Sequence, residues 1–378
     1  MQAKQPLRGS RPYLFRAAWK RGLAGTLDAL AAAAVRLVTL GRGLRPDPAV
    51  LAKPRSILVV RLDHLGDVLF SRPALAALRQ AHPQARIAAL VSAAGAQLLA
   101  GDPAVDECLV FDAPWFRRGA ARPGSEGWLA LVRCLRARAF DVSLDLRGDL
   151  RHHLLLWLAG VKVRIGYTAT GGGFLLHLPL RLPAGVHEVE RNLMAAAAAG
   201  AADWPQAYLP LALEPAERRV ADQIWRQPLR RVVVHPAAGD PAKCWPLDRF
   251  AQVCRALTDA GCDLAVVGTS SEQDQASRLP GRNLCGRTTV RELAALISTA
   301  HLVVANDSGP AHVAVTQGVP VIMLWSETNQ PEEWGPWGQG SRATVVRNPA
   351  RPEAGEEVLA AARAWLNLAE ADNAGRRA

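Results

Sequence analysis

Short runs of β-branched and other apolar residues alternate with longer segments in which apolar residues recur every three or four positions, from residue 56 to near the end of the chain. A run of about four to eight apolar residues is typical of a buried strand, and the longer spacing is typical of a helix. Strands separated by helix-length segments predict βαβ units and a largely parallel sheet. In the first half, the strand-like runs include "SILVVR", "RIAALVS", "ECLVF" and "FDVSLDL".

A proline-rich stretch without a strand pattern interrupts this alternation, which resumes with "RVVVH" and continues through "HLVVAN" and "VPVIMLW". We therefore expect a segment at 1–50, a domain at 51–205, a linker at 206–228, a second domain at 229–350, and a helix and tail at 351–378. Both domains are predicted to be α/β, doubly wound and Rossmann-like. Open sheets of this kind bind ligands outside the carboxyl ends of their strands, so we expect a site in a cleft between the domains.

The charge of the chain is distributed unevenly. Hydrophobic residues make up 49% and charged residues 21%, which is typical of a globular protein. The net charge is +11, but residues 1–50 alone hold nine Lys or Arg against two Asp. The rest of the chain is therefore too nearly balanced for a nucleic-acid groove through the fold. The basic segment favours an anionic membrane surface as its partner.

Within this segment, "YLFRAAWKRGLAGTLDALAAAAVRLVTLGR" combines aromatic residues with arginines. Asp28 and Arg36 interrupt its apolar run, which is too short for a spanning helix of about 20 apolar residues. The late apolar region does not fit a cleavable signal either. Two interpretations stay open, namely an amphipathic helix that lies on a membrane and a helix that packs on the protein's own surface.

The six cysteines show no Cys-x-x-Cys spacing and no cluster with histidine. We interpret them as reduced thiols of a cytosolic protein. The cysteine pattern therefore predicts no zinc site. We expect no bound metal and no cofactor.

Polar residues crowd the start of one predicted helix, in "NDSGPAHVAVTQGVPVIMLW" at 306–325. Pro310 suits the first helical position, and Gly318 ends the helix. The free N–H groups of the first turn and the helix dipole favour an anion such as phosphate, to which Ser308 can also donate. Ordinary capping is the alternative, but it does not account for a histidine on an exposed first turn. The candidate binding residues are Asp307, Ser308, Gly309 and His312.

A second loop, "HPAAGDPAKCWP" at 235–246, follows another predicted strand. Its small residues Ala237 and Ala238 allow a ligand to approach the backbone, and Lys243 supplies a positive charge for a phosphate oxygen. The chain lacks G-x-G-x-x-G after a strand and lacks G-x-x-x-x-G-K-[ST]. The absence of both motifs argues against a nicotinamide dehydrogenase and a P-loop ATPase.

In the first domain, "RLDHLGDVLFSRPAL" places Gly66 and Asp67 at the turn from the first strand into a helix. An acid at this position commonly stabilises the helix dipole. If the turn faces the cleft, the same carboxylate can take a proton from an acceptor hydroxyl. We expect Asp67 to be a general base.

These stretches, with "EEWGPWG" near the end, resemble the bacterial lipopolysaccharide heptosyltransferases, glycosyltransferase family nine, over roughly residues 55–350. The resemblance implies the two-domain GT-B fold, an ADP-linked heptose bound by the C-terminal domain, and inversion in one displacement without a metal. The stretch "LWSETNQPEEWGPWG" departs from the Gly-Pro-Thr turn that the family often has there, which leaves the donor sugar open.

Carried over by position, the resemblance implies that Asp67 is the general base. It also implies that Lys243 and the turn at 307–312 stabilise the departing diphosphate. Glu272, after "VVGTSS", is a candidate contact to the ribose or adenine. In "DLRGDLRHH", Arg147 and Arg151 are candidates for binding an anionic acceptor, although solvated surface arginines are the alternative.

The sequence therefore predicts an inverting glycosyltransferase with an ADP-sugar donor and an anionic lipid-linked oligosaccharide acceptor. It would act in the cytoplasm, in peripheral contact with the inner membrane. Two alternatives stay open: a GT-B-fold sugar-nucleotide epimerase, and a catalytically silent protein that binds nucleotide-sugar or lipid.

Overall fold

The protein divides into two compact units, Met1–Gln206 and Ala207–Ala378. The computed structural model describes residues 25, 26, 28–30, 33, 44–115, 125–225, 229–338, 340–347 and 350–368. Most of the basic segment predicted at 1–50 therefore lies outside the described residues, although the described positions between 25 and 33 are helical. None of the described helices has both the length and the apolar character needed to cross a bilayer.

Unit 1 is built on a parallel six-stranded sheet with the order β3-β2-β1-β4-β5-β6. Its strands are β1 Ser56–Arg61, β2 Arg86–Val91, β3 Glu107–Val110, β4 Val142–Asp145, β5 Val163–Tyr167 and β6 Leu178–Leu180. Its helices are α1 Pro48–Ala52, α2 Leu65–Ala81, α3 Ala93–Leu98, α4 Ser125–Arg138, α5 Leu150–Leu158 and α6 Glu188–Ala198. The strand order reverses between β1 and β4, so a crevice is expected outside their carboxyl ends.

The central strand β1 shows why the apolar runs of the sequence form this sheet. All six of its residues are buried. A central parallel strand is covered by helices on both faces, so it is read from the sequence as a continuous apolar run without alternation. Arg61 is the exception at its carboxyl end, and it is buried as well.

Unit 2 repeats the architecture with the order β12-β11-β10-β7-β8-β9, and all of its pairings are parallel. Its strands are β7 Arg230–His235, β8 Cys262–Val266, β9 Arg282–Asn283, β10 Leu302–Asn306, β11 Val321–Trp325 and β12 Ala343–Arg347. Its helices are α7 Pro215–Ile224, α8 Leu247–Asp259, α9 Gln273–Ala276, α10 Val290–Ser298, α11 Gly309–Thr316, α12 Pro331–Trp334 and α13 Ala354–Leu366. Here the order reverses between β7 and β10.

Two segments outside the predicted second domain are ordered parts of unit 2. The stretch predicted as a linker contains α7, which begins with a capping box between Glu214 and Glu217. Glu217 also pairs with Arg291 of α10, at 2.5 Å. The C-terminal helix α13 buries its apolar face in the core of unit 2, through Ala354, Val358, Ala362 and Leu366.

Candidate active site

In unit 2, the residues predicted to bind phosphate lie at the carboxyl ends of β7 and β10, where the strand order reverses. The loop after β7 carries Lys243 in a short 3-10 helix, and the turn after β10 leads into α11. The two segments are 60 residues or more apart in sequence, and the pairing of β7 with β10 brings them together. This matches the place where open α/β sheets bind ligands.

Asn306, at the end of β10, fastens the two segments to each other. Its side-chain oxygen accepts from the Trp245 N–H at 3.0 Å, and its amide donates to the carbonyl oxygens of Pro236 at 2.7 Å and Ala237 at 3.4 Å. The side chain is fully buried, so each of these bonds satisfies a group that has no access to water. Asn306 thus sets the path of the loop that carries Lys243.

Asp307 is the centre of a buried charge cluster. Its Oδ2 accepts from Lys243 Nζ at 2.5 Å and from the Asn329 amide at 3.1 Å, while its Oδ1 lies 3.2 Å from His312 Nε2. Burial by itself would raise the pKa of Asp307, but His312 and Lys243 outweigh it and lower that pKa to about 2. Asp307 is therefore a fixed negative charge that orients two cationic or polar side chains.

Lys243 keeps capacity for a ligand despite this pair. An ammonium group has three N–H donors, and the bond to Asp307 accounts for one of them. The side chain is 24% exposed, whereas that of Asp307 is 6% exposed. The exposed part of this ion pair is therefore its positive end.

The start of α11 is not capped by a side chain. Ser308 occupies the N-cap position, but its side chain makes no capping hydrogen bond to the helix. Its hydroxyl instead donates to the Asn306 carbonyl at 2.9 Å. The first-turn N–H groups are left for another acceptor, which favours an anion over the ordinary capping considered from the sequence.

His312 differs from the sequence expectation of an exposed first turn, because it is 6% exposed. The reason is that α11 is apolar and buried along nearly its whole length, so its first turn is enclosed with the rest. His312 acts on the site through Asp307 in this structure.

His235, at the end of β7, is a neutral histidine in this site. Its Nδ1 lies 3.0 Å from Ser308 Oγ. Because the single hydroxyl proton of Ser308 goes to Asn306, His235 must donate from Nδ1, and its Nε2 then carries a lone pair. Burial lowers the pKa of His235 to about 4, although Glu272, with a carboxylate oxygen 3.9 Å away, opposes this effect.

Glu272 lies at the end of a 3-10 helix after β8. Its Oε2 accepts from the Thr269 N–H at 2.6 Å, and its side chain is 24% exposed. Glu272 therefore lies beside His235 and outside the cluster formed by Lys243 and Asp307. The small residues Ala237 and Ala238 lie in the loop after β7, with Ala237 buried and Ala238 half-buried.

In unit 1, Gly66 and Asp67 occupy the first turn of α2, as the sequence predicts. Asp67 accepts from Arg61 at 3.0 Å and from the His64 N–H at 3.2 Å. Its side chain is 14% exposed. One carboxylate is thus held at the carboxyl end of β1 with part of its surface open.

Arg61 holds this carboxylate, and sequence reasoning missed it. Its guanidinium is 2% exposed and also lies 2.9 Å from Glu188 Oε1 and 3.4 Å from Asp63 Oδ1. Burial opposes the charge of Arg61, but these carboxylates raise its pKa above the ordinary value. The sequence signal that could have identified Arg61 is a charged residue at the end of an otherwise apolar strand. Glu188 has no such local signal in the sequence.

The two predicted acceptor arginines have different surroundings. Arg147 donates to Asp63 Oδ2 at 2.7 Å, so it joins the Arg61 cluster, and its side chain is 39% exposed. Arg151 is bound to Asp149 and lies over the Trp115 ring, 4.4 Å from its centroid. Arg147 is therefore connected to Asp67 through Asp63 and Arg61, whereas Arg151 has no such connection in the contacts described above.

Asparagine 306 should be essential to the stability of unit 2. Replacing it in Asn306→Ala leaves the Trp245 N–H and the Pro236 carbonyl without their partner, which should cost about 2–4 kcal/mol. Urea unfolding followed by tryptophan fluorescence measures this loss. Gln275→Ala, at an exposed position of α9, is the matched control and should be nearly neutral. Equal stability of the Asn306→Ala and Gln275→Ala variants would contradict this role of Asn306.

The stability of the protein should fall between neutral pH and pH 5 because of His235. The unfolded chain protonates this histidine near its ordinary value of 6.5, whereas the folded state resists protonation until about pH 4. The unfolded state therefore binds more protons in that window, and the cost at pH 5 is about 2 kcal/mol. His235→Gln should lose less stability than the wild type between pH 7 and pH 5 in urea titrations. An unchanged pH dependence would show that His235 is not buried as a neutral group.

Both the sequence and the fold of the chain are similar to those of known proteins. Residues 128–361, more than half of the chain, match the sequence model described as "Glycosyltransferase family 9 (heptosyltransferase)". Lipopolysaccharide core heptosyltransferase OpsX of Haemophilus influenzae is 24% identical over 294 residues, which cover 75% of this chain and 82% of the relative. Lipopolysaccharide heptosyltransferase 3 of Escherichia coli K12 is 28% identical over 295 residues, covering 72% and 82%.

The solved structure of Escherichia coli ADP-heptose LPS heptosyltransferase II has a similar fold, with a TM-score of 0.70. The sequence identity is 22%, and the match covers 82% of this chain and 98% of that chain. Together with the two parallel six-stranded sheets, this likeness confirms the predicted α/β fold of the GT-B class.

Proposed function

The chain belongs to glycosyltransferase family 9, the heptosyltransferases, and from that premise we propose that it transfers a heptose or a related sugar from an ADP-sugar to a lipid-linked oligosaccharide such as the lipopolysaccharide inner core. Two relatives are named as lipopolysaccharide heptosyltransferases, and these names support lipopolysaccharide as the acceptor. The name of the E. coli structure supports ADP-heptose as the donor.

The observation that carries the donor proposal is the conjunction of Lys243 with the uncapped start of α11. Lys243 presents the exposed end of an ion pair that Asp307 orients, and the N-cap Ser308 leaves the first-turn N–H groups to another acceptor. A diphosphate carries charge that both features stabilise. We place the ADP diphosphate there, in contact with the backbone of Gly309 and the loop at Ala237 and Ala238. Glu272 would lie toward the ribose or the base.

For the chemical step, we propose that Asp67 is the general base. It takes the proton of the acceptor hydroxyl while that oxygen forms a bond to the anomeric carbon of the sugar. The bond from that carbon to the diphosphate breaks, and ADP departs with the bonding electrons. A single displacement of this kind inverts the anomeric configuration. Arg61 supports Asp67 by fixing one of its oxygens, at 3.0 Å.

The charge that develops on the departing diphosphate is met by Lys243 and the N–H groups of α11. Donors that are already oriented when the charge develops stabilise the transition state most effectively. Asp307, itself ionised over the whole ordinary pH range, holds the lysine in place. In this proposal the protein supplies the compensating positive charge itself, so transfer needs no metal.

The acceptor is proposed to be anionic. Arg147 lies beside the Asp67 cluster and is 39% exposed, so its guanidinium can form paired hydrogen bonds with a phosphate or carboxylate of the acceptor. Gly66 lets the acceptor approach the start of α2. We further propose that the enzyme works at the cytoplasmic face of the inner membrane, with its basic N-terminal segment in peripheral contact with anionic lipid.

Replacing the proposed base should abolish transfer without abolishing nucleotide binding. Asp67→Asn keeps the shape of the side chain and removes its capacity to accept a proton, so kcat should fall at least about 100-fold. Transfer is measured as sugar incorporated into a lipid-linked acceptor, and ADP binding is measured by calorimetry.

Asp112→Asn is the matched control, because Asp112 also accepts a backbone N–H near a helix start in unit 1. It should retain full activity. Normal transfer by Asp67→Asn would exclude Asp67 as the base. ADP binding by the wild type without any sugar transfer would favour a binding protein. Turnover of the sugar nucleotide in the absence of any acceptor would favour an epimerase.

Lysine 243 should determine the affinity for the nucleotide. Calorimetric titrations with ADP, ADP-heptose, UDP and GDP should show selective binding of the adenine nucleotides, unaffected by a metal chelator. Lys243→Ala removes one charge-assisted hydrogen bond and should weaken ADP binding about 10- to 100-fold.

Lys162→Ala, which removes a lysine paired with Asp141 at 2.7 Å in unit 1, is the matched control and should leave ADP binding unchanged. A preference for UDP or GDP would move the donor to another sugar nucleotide. ADP affinity that survives Lys243→Ala would place the diphosphate elsewhere.

A further inference from the structure

Helix α5 has apolar side chains on both of its faces. One face is buried in unit 1 and contains His152, His153, Leu155 and Leu156. On the other face, Leu150 is 41% exposed, Leu154 is 39% exposed and Trp157 is 48% exposed. The spacing of these three residues, four and then three positions, places them in one line along the helix. We call this line the α5 stripe.

The neighbouring helix α4 also has exposed apolar and basic side chains. The two helices are in contact within unit 1. Leu129 of α4 is 50% exposed, and Arg133 and Arg136 are also exposed. No acidic residue occurs between Gly127 and Arg138. The surface beside the α5 stripe is therefore apolar and basic.

Helix α5 contributes no negative charge either. It has no acidic residue, and Asp149, directly before it, is buried and paired with Arg151. An exposed apolar line flanked by arginines, without acids, has the composition of a helix that lies in a membrane interface.

The N-terminal segment is attached at one end of the same stripe. Both carboxylate oxygens of Asp28 accept from the Gly172 N–H, at 2.9 and 3.2 Å. A Cβ built at Gly172 would lie 2.5 Å from Leu150 Cδ1, so this glycine is in direct contact with the first residue of the stripe. Gly172 has a φ of 80°, which allows it to point its N–H at Asp28.

This attachment gives a reason for an acid within an otherwise basic segment. Asp28 is one of two acidic residues among residues 1–50, and it contacts the loop between β5 and β6. Leu30, two positions further on, is 64% exposed. The Asp28–Gly172 contact therefore lies at the end of α5 where the stripe begins.

From this arrangement we propose that the α5 stripe, with Leu129, Arg133 and Arg136 of α4, is a docking surface for an anionic membrane. The apolar side chains enter the boundary between headgroups and acyl chains, and the arginines contact the headgroups. The Asp28–Gly172 contact lies at one end of this surface. This docking is independent of sugar transfer and of nucleotide binding.

Charge selects the membrane over a second copy of the chain. Two copies meeting through this surface would bring arginines of the same sign together, which is unfavourable. An anionic bilayer is complementary to those charges and also accepts the apolar stripe.

The test is sedimentation of the full-length protein with vesicles. One set contains zwitterionic phosphatidylcholine with one-fifth anionic phosphatidylglycerol, and the other contains phosphatidylcholine only. The wild type should bind the anionic vesicles, and binding should weaken with salt. Leu154→Glu with Trp157→Glu should weaken it at least about tenfold. Arg133→Gln with Arg136→Gln should weaken it by about fivefold for each arginine.

Met194→Glu with Val220→Glu is the matched control, because these helical residues are 40% and 41% exposed. Its vesicle binding should equal that of the wild type. Circular dichroism and thermal unfolding establish that each variant folds, and the arginine pair tests the surface if the glutamate pair does not fold.

Wild-type binding by both test pairs would overturn the proposal. So would unchanged vesicle binding by the glutamate pair together with loss of self-association in sedimentation velocity, because the stripe would then join two copies of the chain. An ADP-binding assay on the same variants should show no change, which separates this result from the fate of the proposed function.

Discussion

A charge removed from water at the end of a buried strand has to be neutralised within a few ångströms, and each unit is organised around one such charge. In unit 1 it is the guanidinium of Arg61, which closes β1 and is shared by Asp63, Asp67 and Glu188. In unit 2 it is the carboxylate of Asp307, which follows β10 and is shared by Lys243 and His312. The groups with proposed chemical roles are in both cases the most exposed partners of the buried charge. The requirement to neutralise the charge thus also positions the side chains that are proposed to contact the substrates.

Much of the fold and part of the site could be predicted from the sequence because they depend on local patterns. The continuous apolar runs of β1 and β10 mark central parallel strands, and Gly66, Asp67 and Gly309 stand where those strands give way to helices. The resemblance to a family then assigned roles to these positions. The pattern of apolar and polar residues shows the type of each element and where it ends. Site residues at the ends of elements are therefore the easiest to predict.

The remaining features depend on contacts between distant residues, which a local pattern does not contain. Glu188 contacts Arg61 from more than 120 residues away in the sequence. Asn329, which follows β11 in the sequence, donates to Asp307. The burial of His312 follows from how α11 packs, and its sequence spacing alone suggested exposure. The helix α7 in the predicted linker was missed for another reason, since prolines conceal a helix that begins directly after a capping residue.

The position of α13 also bears on how the protein is made. This helix, Ala354–Leu366, packs in the core of unit 2 and follows all the other described strands and helices of that unit. Domains generally fold in order as they leave the ribosome. The described strands and helices of unit 1 therefore all precede residue 206 and can assemble first, whereas unit 2 lacks part of its core until α13 has been made. Unit 2 is consequently the later of the two units to fold, and until α13 is made it depends on protection from aggregation.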